Sequence, residues 1–181
     1  IAGVFDWNGG KKPNKLAKLE GNSNGDVLIL GKAGGLGSAC SLEIDGKCFS
    51  AAFTPSPLTK AECEAEKGKL GIKSCPFDQD YWAGAVKQCG GVSKMPTMDD
   101  LAKLATELYG TTVGAEQDIG YLQLDSSKAS SMGFTEQYFS VWSGEEYNSY
   151  YAKYRRFRSS DTSWYGASRD SSRNQAVCVG E

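Results

Sequence analysis

The residues best suited to chemistry in this sequence are its six cysteines. The 181-residue chain contains no histidine, although metal sites and cysteine-based catalysis usually recruit an imidazole as ligand or base. No two cysteines are spaced as CxxC, the pattern of zinc ribbons and thioredoxin-like redox motifs. Three disulfides are therefore the leading interpretation, with buried free thiols as the alternative and no metal or cofactor expected; the cysteines are Cys40, Cys48, Cys63, Cys75, Cys89 and Cys178.

Six cysteines allow fifteen pairings, and the sequence alone does not choose among them. Proximity favours Cys40 with Cys48 across the turn in CSLEIDGKC, and Cys63 with Cys75 around KGKLG, which leaves Cys89 to reach Cys178. Disulfides persist in oxidising compartments, so we expect an exported protein, extracellular or at the cell surface. The first residues lack the basic-then-apolar order of a signal peptide, and we expect any signal or membrane anchor to have been removed.

Side chains suited to binding are concentrated in YNSYYAKYRRFRSSDTSWYGASRDSSRN, residues 147–174, here called the window. The window holds five Tyr, seven Ser and all five Arg of the chain, and no Leu, Ile, Val or Glu. Its six cations and two acids give a balance of +4, whereas the other 153 residues hold 14 Lys and 20 acids, a balance of −6. Antibody-like surfaces favour the same residue types, because Tyr offers stiff contact area and Arg a bidentate fork.

Two helices and several strands must position the window. Apolar residues at helical spacing predict a helix over 80–89, and a capped, strongly periodic stretch predicts a second over 97–109, with Asp99 and Asp100 as capping acids. Short alternating runs at 121–124, 138–143 and 175–179 predict strands. The order predicts an α+β fold with two helices packed beside short antiparallel sheets and braced by disulfides.

The first 75 residues are rich in Gly, Asn and Lys, with short apolar runs between turn residues. This pattern is typical of short strands and loops. We therefore divide the chain into residues 1–75, an elaboration of the same domain or the remnant of an assembly stem, and residues 76–181, the principal domain.

Four motifs in order carry a resemblance to a known family: WAGAVKQCGG (82–91), KMPTMDDLAKL (94–104), VWSGEEY (141–147) and AVCVG (176–180). Together they resemble a bacterial C-type-lectin-like domain, and more narrowly the C-terminal domains of collagen-like adhesins. The resemblance covers about residues 80–181 and implies a disulfide-braced scaffold whose long loop region, which contains the window, contacts ligands. The EPN, QPD and WND triplets of calcium-dependent sugar binding are absent from the second half of the chain. The fold also resembles formylglycine-generating enzymes, but these need redox-active or copper-binding cysteines, and we expect no enzymatic activity here.

The exclusion of Lys from most of the window carries further information. Randomising the two adenines of Asn-like codons while the third base stays a pyrimidine yields Tyr, Ser, Arg, Asp, Asn, Gly, Ala, Thr and Phe, but never Lys or Trp. All window residues except Lys153 and Trp164 belong to that set. The window thus looks like the variable region of a protein diversified by a retroelement, in which Lys153 and Trp164 would be fixed scaffold positions.

The predicted function is non-catalytic display of a hypervariable surface that binds a macromolecule, a protein in the first place and a glycan as the alternative ligand. A fixed adhesin or pilus-associated lectin-like domain is the second interpretation, and an ordinary polar loop pair is the third. A disulfide-rich exported chain rarely meets nucleic acid, so we expect no nucleic-acid partner. The predicted contact residues are Tyr147, Asn148, Tyr150, Tyr151, Tyr154, Arg155, Arg156, Arg158, Ser160, Asp161, Tyr165, Ser168, Arg169, Asp170, Arg173 and Asn174.

Overall fold

The computed structural model describes residues 40–180 and shows an α+β fold. Predictions for residues 1–39 lie outside the described residues. The helices are α1 (Lys60–Leu70), α2 (Tyr81–Cys89), α3 (Met98–Tyr109) and α4 (Ser126–Ser131). The strands are β1 (Leu42–Ile44), β2 (Lys47–Phe49), β3 (Phe139–Glu146), β4 (Tyr151–Phe157), β5 (Thr162–Ser168) and β6 (Val179–Gly180).

Both predicted helices are confirmed, as α2 and α3, and their ends follow from local hydrogen bonds. Asp80 caps α2 by accepting from the backbone N–H of Ala83, and α3 begins with a capping box between Thr97 and Asp100. Each helix ends at a glycine in the left-handed region, where a side chain would be strained. The apolar stripe of α3 is buried, as its periodicity predicts; it includes Leu101, Leu104, Ala105 and Leu108.

Helix α1 corrects the expectation of strands and loops before residue 76. Its sequence, KAECEAEKGKL, has no clear stripe of apolar residues at helical spacing, and in the structure only Cys63 and Leu70 of this helix are buried. The helix is specified at its ends instead. Thr59 and Glu62 form a capping box, and Gly71 closes the helix with a φ of 80°.

A small sheet joins the first described strands to the end of the chain. Its order is β1-β2-β6, with all pairs antiparallel and Phe49 opposite Val179. The described residues before 76 belong to the same compact unit as those after it. Residues 40–75 are thus integrated in the fold.

The larger sheet has the order β3-β4-β5 and contains most of the window. The predicted strand at 138–143 is confirmed and extends to Glu146. Residues 121–124 do not form the predicted strand: Leu122 and Leu124 donate to carbonyls of the β4–β5 turn, outside a regular ladder. Of the predicted strand at 175–179, only the last residue falls in β6, and residues 175 and 176 form isolated bridges.

The two disulfides favoured by proximity, Cys40–Cys48 and Cys63–Cys75, are confirmed, and so is the remaining pair, Cys89–Cys178. No described cysteine is free. The third bond joins the last residue of α2 to the residue before β6, across 89 positions of sequence. It therefore ties the helical layer to the end of the chain beside the window.

The core consists of two clusters on opposite sides of the larger sheet. One cluster packs α3 against Val141 and Phe157, and the other packs α2 against Trp142 and Ala152. The window hairpin is therefore held by a helix on each side.

Candidate ligand-binding surface

The window forms a β-hairpin, although its sequence shows no alternation of apolar and polar residues. Strands β4 and β5 pair in continuous register from Tyr151 opposite Ser168 to Phe157 opposite Thr162. A tight turn at 158–161 connects them. The binding residues are therefore mounted on regular strands, which hold side-chain positions more precisely than loops do.

Tyr109, at the end of α3, fixes the turn of this hairpin. Its hydroxyl lies 2.7 Å from the carbonyl oxygen of Arg158 and 2.8 Å from that of Asp161, and it accepts from the N–H of Arg158. The Arg158 guanidinium donates to both oxygens of the Asp161 carboxylate, at 2.9 and 3.0 Å. Burial raises the pKa of Tyr109 above its ordinary value, although the Arg158 N–H opposes the shift.

The strand register distributes the window over two faces of the sheet. Residues directly opposite each other share a face, and successive residues alternate. The face here called the α3 face carries Val141, Lys153, Arg155, Phe157 and Trp164. The other, called the α2 face, carries Ser140, Trp142, Ala152, Tyr154, Arg156, Ser163 and Tyr165. The predicted contact residues are thus divided between two surfaces.

Arg155 is fully buried, so its prediction as a contact residue was wrong. Its Nη1 donates to Thr162 Oγ1 at 3.0 Å, and its Nη2 lies 3.0–3.1 Å from the carbonyl oxygens of Gly114, Ala115 and Gln117. Burial lowers the pKa of the guanidinium. The side chain fastens the 114–117 segment across the α3 face and is a structural residue.

Arg169 is also fully buried, so its prediction as a contact residue was wrong as well. Its Nη2 lies 2.7 Å from Asp80 Oδ2, an ion pair without good hydrogen-bond direction, and donates to the Ser74 carbonyl at 2.9 Å. The guanidinium lies 4.5 Å above the Trp82 ring, and Glu146 is 3.8 Å away. Burial raises the pKa of Asp80, against the opposing effects of the Ala83 N–H and Arg169. Arg169 thus locks the end of β5 to the start of α2.

The prediction of Asn174 as a contact residue was also wrong, because only 4% of its surface is exposed. The neighbouring Gln175 forms a bridge beside Val141, which places Asn174 and Ala176 on the α2 face of the sheet. Ala176 packs in the α2 cluster, in agreement with this orientation. Asn174 therefore belongs to the edge of the sheet and not to its exposed surface.

Three of the six cations in the window pair with carboxylates, and two of these three have partners outside the window. Lys153 pairs with Glu116 and Glu145 at 2.7 and 3.6 Å, and these contacts raise its pKa. Arg158 pairs within the turn, and Arg169 pairs with Asp80. Among the described residues, Arg155, Arg156 and Arg173 pair with no carboxylate, and of these three Arg155 is buried against backbone carbonyls.

Three exposed tyrosines, Tyr147, Tyr150 and Tyr151, lie at the β3–β4 connection and are together called the tip patch here. Asn148 shapes the connection by accepting from the N–H groups of Tyr150 and Tyr151. The Tyr147 ring packs over Gly166, where a Cβ would lie 3.3 Å from it, and Tyr150 makes an edge contact with Phe77. The exposed fractions are 58% for Tyr147, 56% for Tyr150 and 43% for Tyr151.

A second patch, here called the arginine patch, lies on the α2 face toward the hairpin turn. It comprises Tyr154, Tyr165, Arg156 and Arg173. The Arg156 guanidinium lies 4.7 Å above the Tyr165 ring and donates to its hydroxyl at 3.1 Å, while Tyr165 itself contacts Tyr154 at 6.0 Å. Burial raises the pKa of Tyr154, against the opposing effects of Arg156 and Arg173.

The remaining predicted contacts lie outside the two patches. Ser160 is exposed in the hairpin turn beside the paired Arg158 and Asp161. Ser168 donates to the exposed Asp170 at 2.6 Å, at the end of β5.

Several surface residues were missed by sequence reasoning. Asp118, Ile119 and Gly120 border a shallow cavity that Arg156 and Tyr165 also line. Tyr121 is fully exposed and has a positive φ of 58°. They precede the window by 26 to 29 residues, and no local pattern marks them as its neighbours.

Comparison with known proteins adds no family to this geometry: no family model matches the chain, and no curated protein or solved structure shows a match. Within residues 40–180, no helix has the length and apolar character required to cross a bilayer. The same residues contain no group of three or more Cys, Asp or Glu side chains arranged to hold a metal ion.

Proposed function

We propose that this protein is a non-catalytic, exported display domain of C-type-lectin-like fold whose window is diversified by a retroelement and binds a protein on another surface. The observation that carries the proposal is the exposure of tyrosine. Six large hydrophobic side chains are exposed in the described residues, and four of them are window tyrosines. Exposed Tyr is costly for a surface without a partner and effective at an interface, because it supplies contact area with little loss of side-chain entropy.

The two window residues outside the permitted codon set support the diversification part of the proposal. Lys153 Nζ lies 5.6 Å from the centroid of the Trp164 ring, so the two contact each other. Lys153 also pairs with Glu116 and Glu145, and the Trp164 backbone N–H donates to Asp118. Both residues thus interact with fixed parts of the chain outside the window, as scaffold positions should.

The rigidity of the hairpin supports a binding role. Both strands of the hairpin are fully paired, the turn is held by Tyr109, and the end of β5 is held by Arg169. A surface fixed before binding loses less conformational entropy when a ligand docks. Exposed side chains can then vary while the backbone beneath them stays the same.

The three disulfides support export to an extracellular or cell-surface location, since such bonds are rare in reducing compartments.

Deep sequencing of the gene across many cells of the source population tests the proposal. We expect substitutions at exposed window positions, including Tyr147, Tyr150, Tyr151, Arg156 and Tyr165. The adjacent codons of Arg155 and Arg156 form a matched pair, because one side chain is buried and the other is partly exposed. We expect Arg155, Lys153 and Trp164 to stay constant.

Three outcomes are distinguishable. Variation confined to exposed window positions and traceable to adenines in a nearby template copy supports the proposal. Uniformly low variation refutes diversification and leaves a fixed adhesin-like domain. Equal variation at Arg155 and Arg156 refutes the assignment of Arg155 to the scaffold.

A further inference from the structure

The cavity in the arginine patch contains hydrogen-bond donors without protein partners. It has a volume of about 220 Å³ and lies between the Arg156–Tyr165 pair and the 118–120 segment. Arg156 and Ser163 both line it, and Arg156 Nε and Ser163 Oγ are buried without a hydrogen-bond partner among the described residues. Only 7% of Ser163 is exposed. Buried polar atoms are normally satisfied, so an acceptor that enters the cavity would supply partners that the described residues do not.

The polar chemistry of the cavity favours an acceptor ligand. In the strand register Ser163 stands opposite Arg156, and both residues line the cavity. A guanidinium N–H can only donate, and a serine hydroxyl can donate as well, so the cavity favours a ligand with acceptor oxygens.

Arg156 is positioned in advance for a carboxylate. Stacking on Tyr165 and the bond to its hydroxyl orient the guanidinium, which limits the side-chain entropy lost when a ligand binds. Arg155, Arg158 and Arg169 already bind carbonyls or carboxylates within the protein. Two arginines line the cavity, Arg156 and Arg158. Arg158 pairs with Asp161, whereas Arg156 has no carboxylate partner among the described residues.

Two acids also border the cavity, and neither neutralises Arg156. The Asp161 carboxylate accepts from Nε and Nη2 of Arg158. Asp118 accepts from the backbone N–H of Trp164 at 3.1 Å and does not pair with Arg156. Asp118 still repels an incoming anion. A single carboxylate therefore fits better than a densely charged group such as a phosphate.

We propose that this cavity binds an aspartate or glutamate side chain of the protein ligand, through Arg156 and Ser163. The identification of the ligand as a protein rests on the proposed function, whereas the carboxylate chemistry rests on the cavity alone. Because Arg156 and Tyr165 are window positions, acidic specificity belongs to this sequence of the window and would change in other variants.

The test uses the full chain, acetate as the smallest model of an acidic side chain, and acetamide as its neutral counterpart. Nitrogen-15 NMR follows the Arg156 Nε–Hε and Ser163 backbone signals during titration. We expect saturable shifts with acetate and binding about fivefold weaker with acetamide, because charge-assisted hydrogen bonds are stronger than neutral ones. Equal binding of the two compounds, or acetate shifts that omit Arg156, would overturn the inference.

Matched variants separate the cavity from general charge. Arg156→Gln and Arg173→Gln remove the same charge, but Arg173 does not line the cavity. We expect Arg156→Gln to abolish saturable acetate binding and Arg173→Gln to change it by less than about twofold, because an exposed charge is screened by salt. Asp118→Asn should tighten binding about two- to threefold by removing a like charge. Equal losses in the two arginine variants would show a diffuse charge effect and refute the cavity.

A second comparison tests the class of partner. A blocked Gly-Glu-Gly peptide should bind more tightly than glucuronate, which carries its carboxylate on a sugar. Tighter binding of glucuronate would move the partner to an acidic glycan and overturn the protein assignment. Low codon variation would refute diversification without affecting the acetate result, so the two proposals fail separately.

Discussion

Replacement of Arg155 and of Arg156 by alanine should give opposite results, although the two arginines are adjacent. Arg155→Ala removes four hydrogen-bond contacts and leaves the carbonyls of Gly114, Ala115 and Gln117 without their buried donor. Arg156→Ala removes one partly exposed contact to Tyr165. The structure therefore predicts a large loss of stability in one variant and a small loss in its neighbour.

The expected magnitudes follow from these contacts. Hydrogen bonds to charged groups contribute about 1.5–3 kcal/mol each, and a buried carbonyl left without a donor costs about 1–3 kcal/mol. Removing a buried, unpaired charge offsets part of that cost. We expect a loss of about 2–4 kcal/mol in unfolding free energy for Arg155→Ala, and at most about 0.5–1 kcal/mol for Arg156→Ala. For a chain of this size the first corresponds to a drop in Tm of roughly 5–15 °C.

Thermal and urea unfolding followed by circular dichroism measure both variants. Arg155→Lys serves as a control, because it keeps the charge and loses the planar fork that reaches several carbonyls; it should resemble the alanine variant more than the wild type. Equal stability of the Arg155→Ala and Arg156→Ala proteins would refute the burial of Arg155 and the division of the window into two faces.

Three further predictions concern the disulfides, the hairpin turn and the tyrosines. Replacing both Cys89 and Cys178 by alanine should cost about 4–5 kcal/mol in unfolding free energy, since their bond closes the longest loop; unchanged urea unfolding would show that the bond is dispensable. Burial raises the pKa of Tyr109, so folding favours its neutral form; its contribution to stability is complete below pH of about 10 and is lost as pH rises further, by up to about 1.4 kcal/mol per pH unit. Tyr109→Phe should flatten that loss in unfolding experiments at alkaline pH, and an identical slope would contradict the assignment. Exposed positions contribute little to the core, so serine at three window tyrosines should change Tm by only about 2–3 °C in calorimetry, and a collapse of stability would place them in the interior; the positions are Tyr150, Tyr151 and Tyr165.

Features with a local signal could be predicted from the sequence. Helices α2 and α3 were predictable because a capping residue, an apolar stripe and a terminal glycine coincide in each. The two short disulfides were predictable because loops of 8 and 12 residues bring their cysteines together. Helix α1 escaped because its signal lies in its capping box and not in a stripe.

The hairpin could not be predicted because its buried positions do not look buried. In YAKYRRF, the buried residues of β4 are Ala152 on the α2 face and Arg155 and Phe157 on the α3 face. A search for apolar periodicity treats the arginine as solvent-exposed. Its partners are backbone carbonyls about 40 residues earlier, which composition cannot reveal. The same limit applies to Arg169, because its ion-pair partner Asp80 precedes α2 and is therefore far from β5 in the sequence.

The division of the window between two faces has a consequence for recognition. A typical partner covers about 800 Å² of one continuous surface, and Tyr151 of the tip patch lies on the opposite face of β4 from Tyr154 and Arg156 of the arginine patch. Beside Tyr151 on the α3 face, Lys153 is neutralised by Glu116 and Glu145, whereas Arg156 and Arg173 leave the arginine patch positive. An acidic partner is therefore attracted to the arginine patch and gains little from the tip patch. Substitutions in the tip patch should then leave binding of the Gly-Glu-Gly peptide unchanged, even though both patches come from one continuous stretch of sequence.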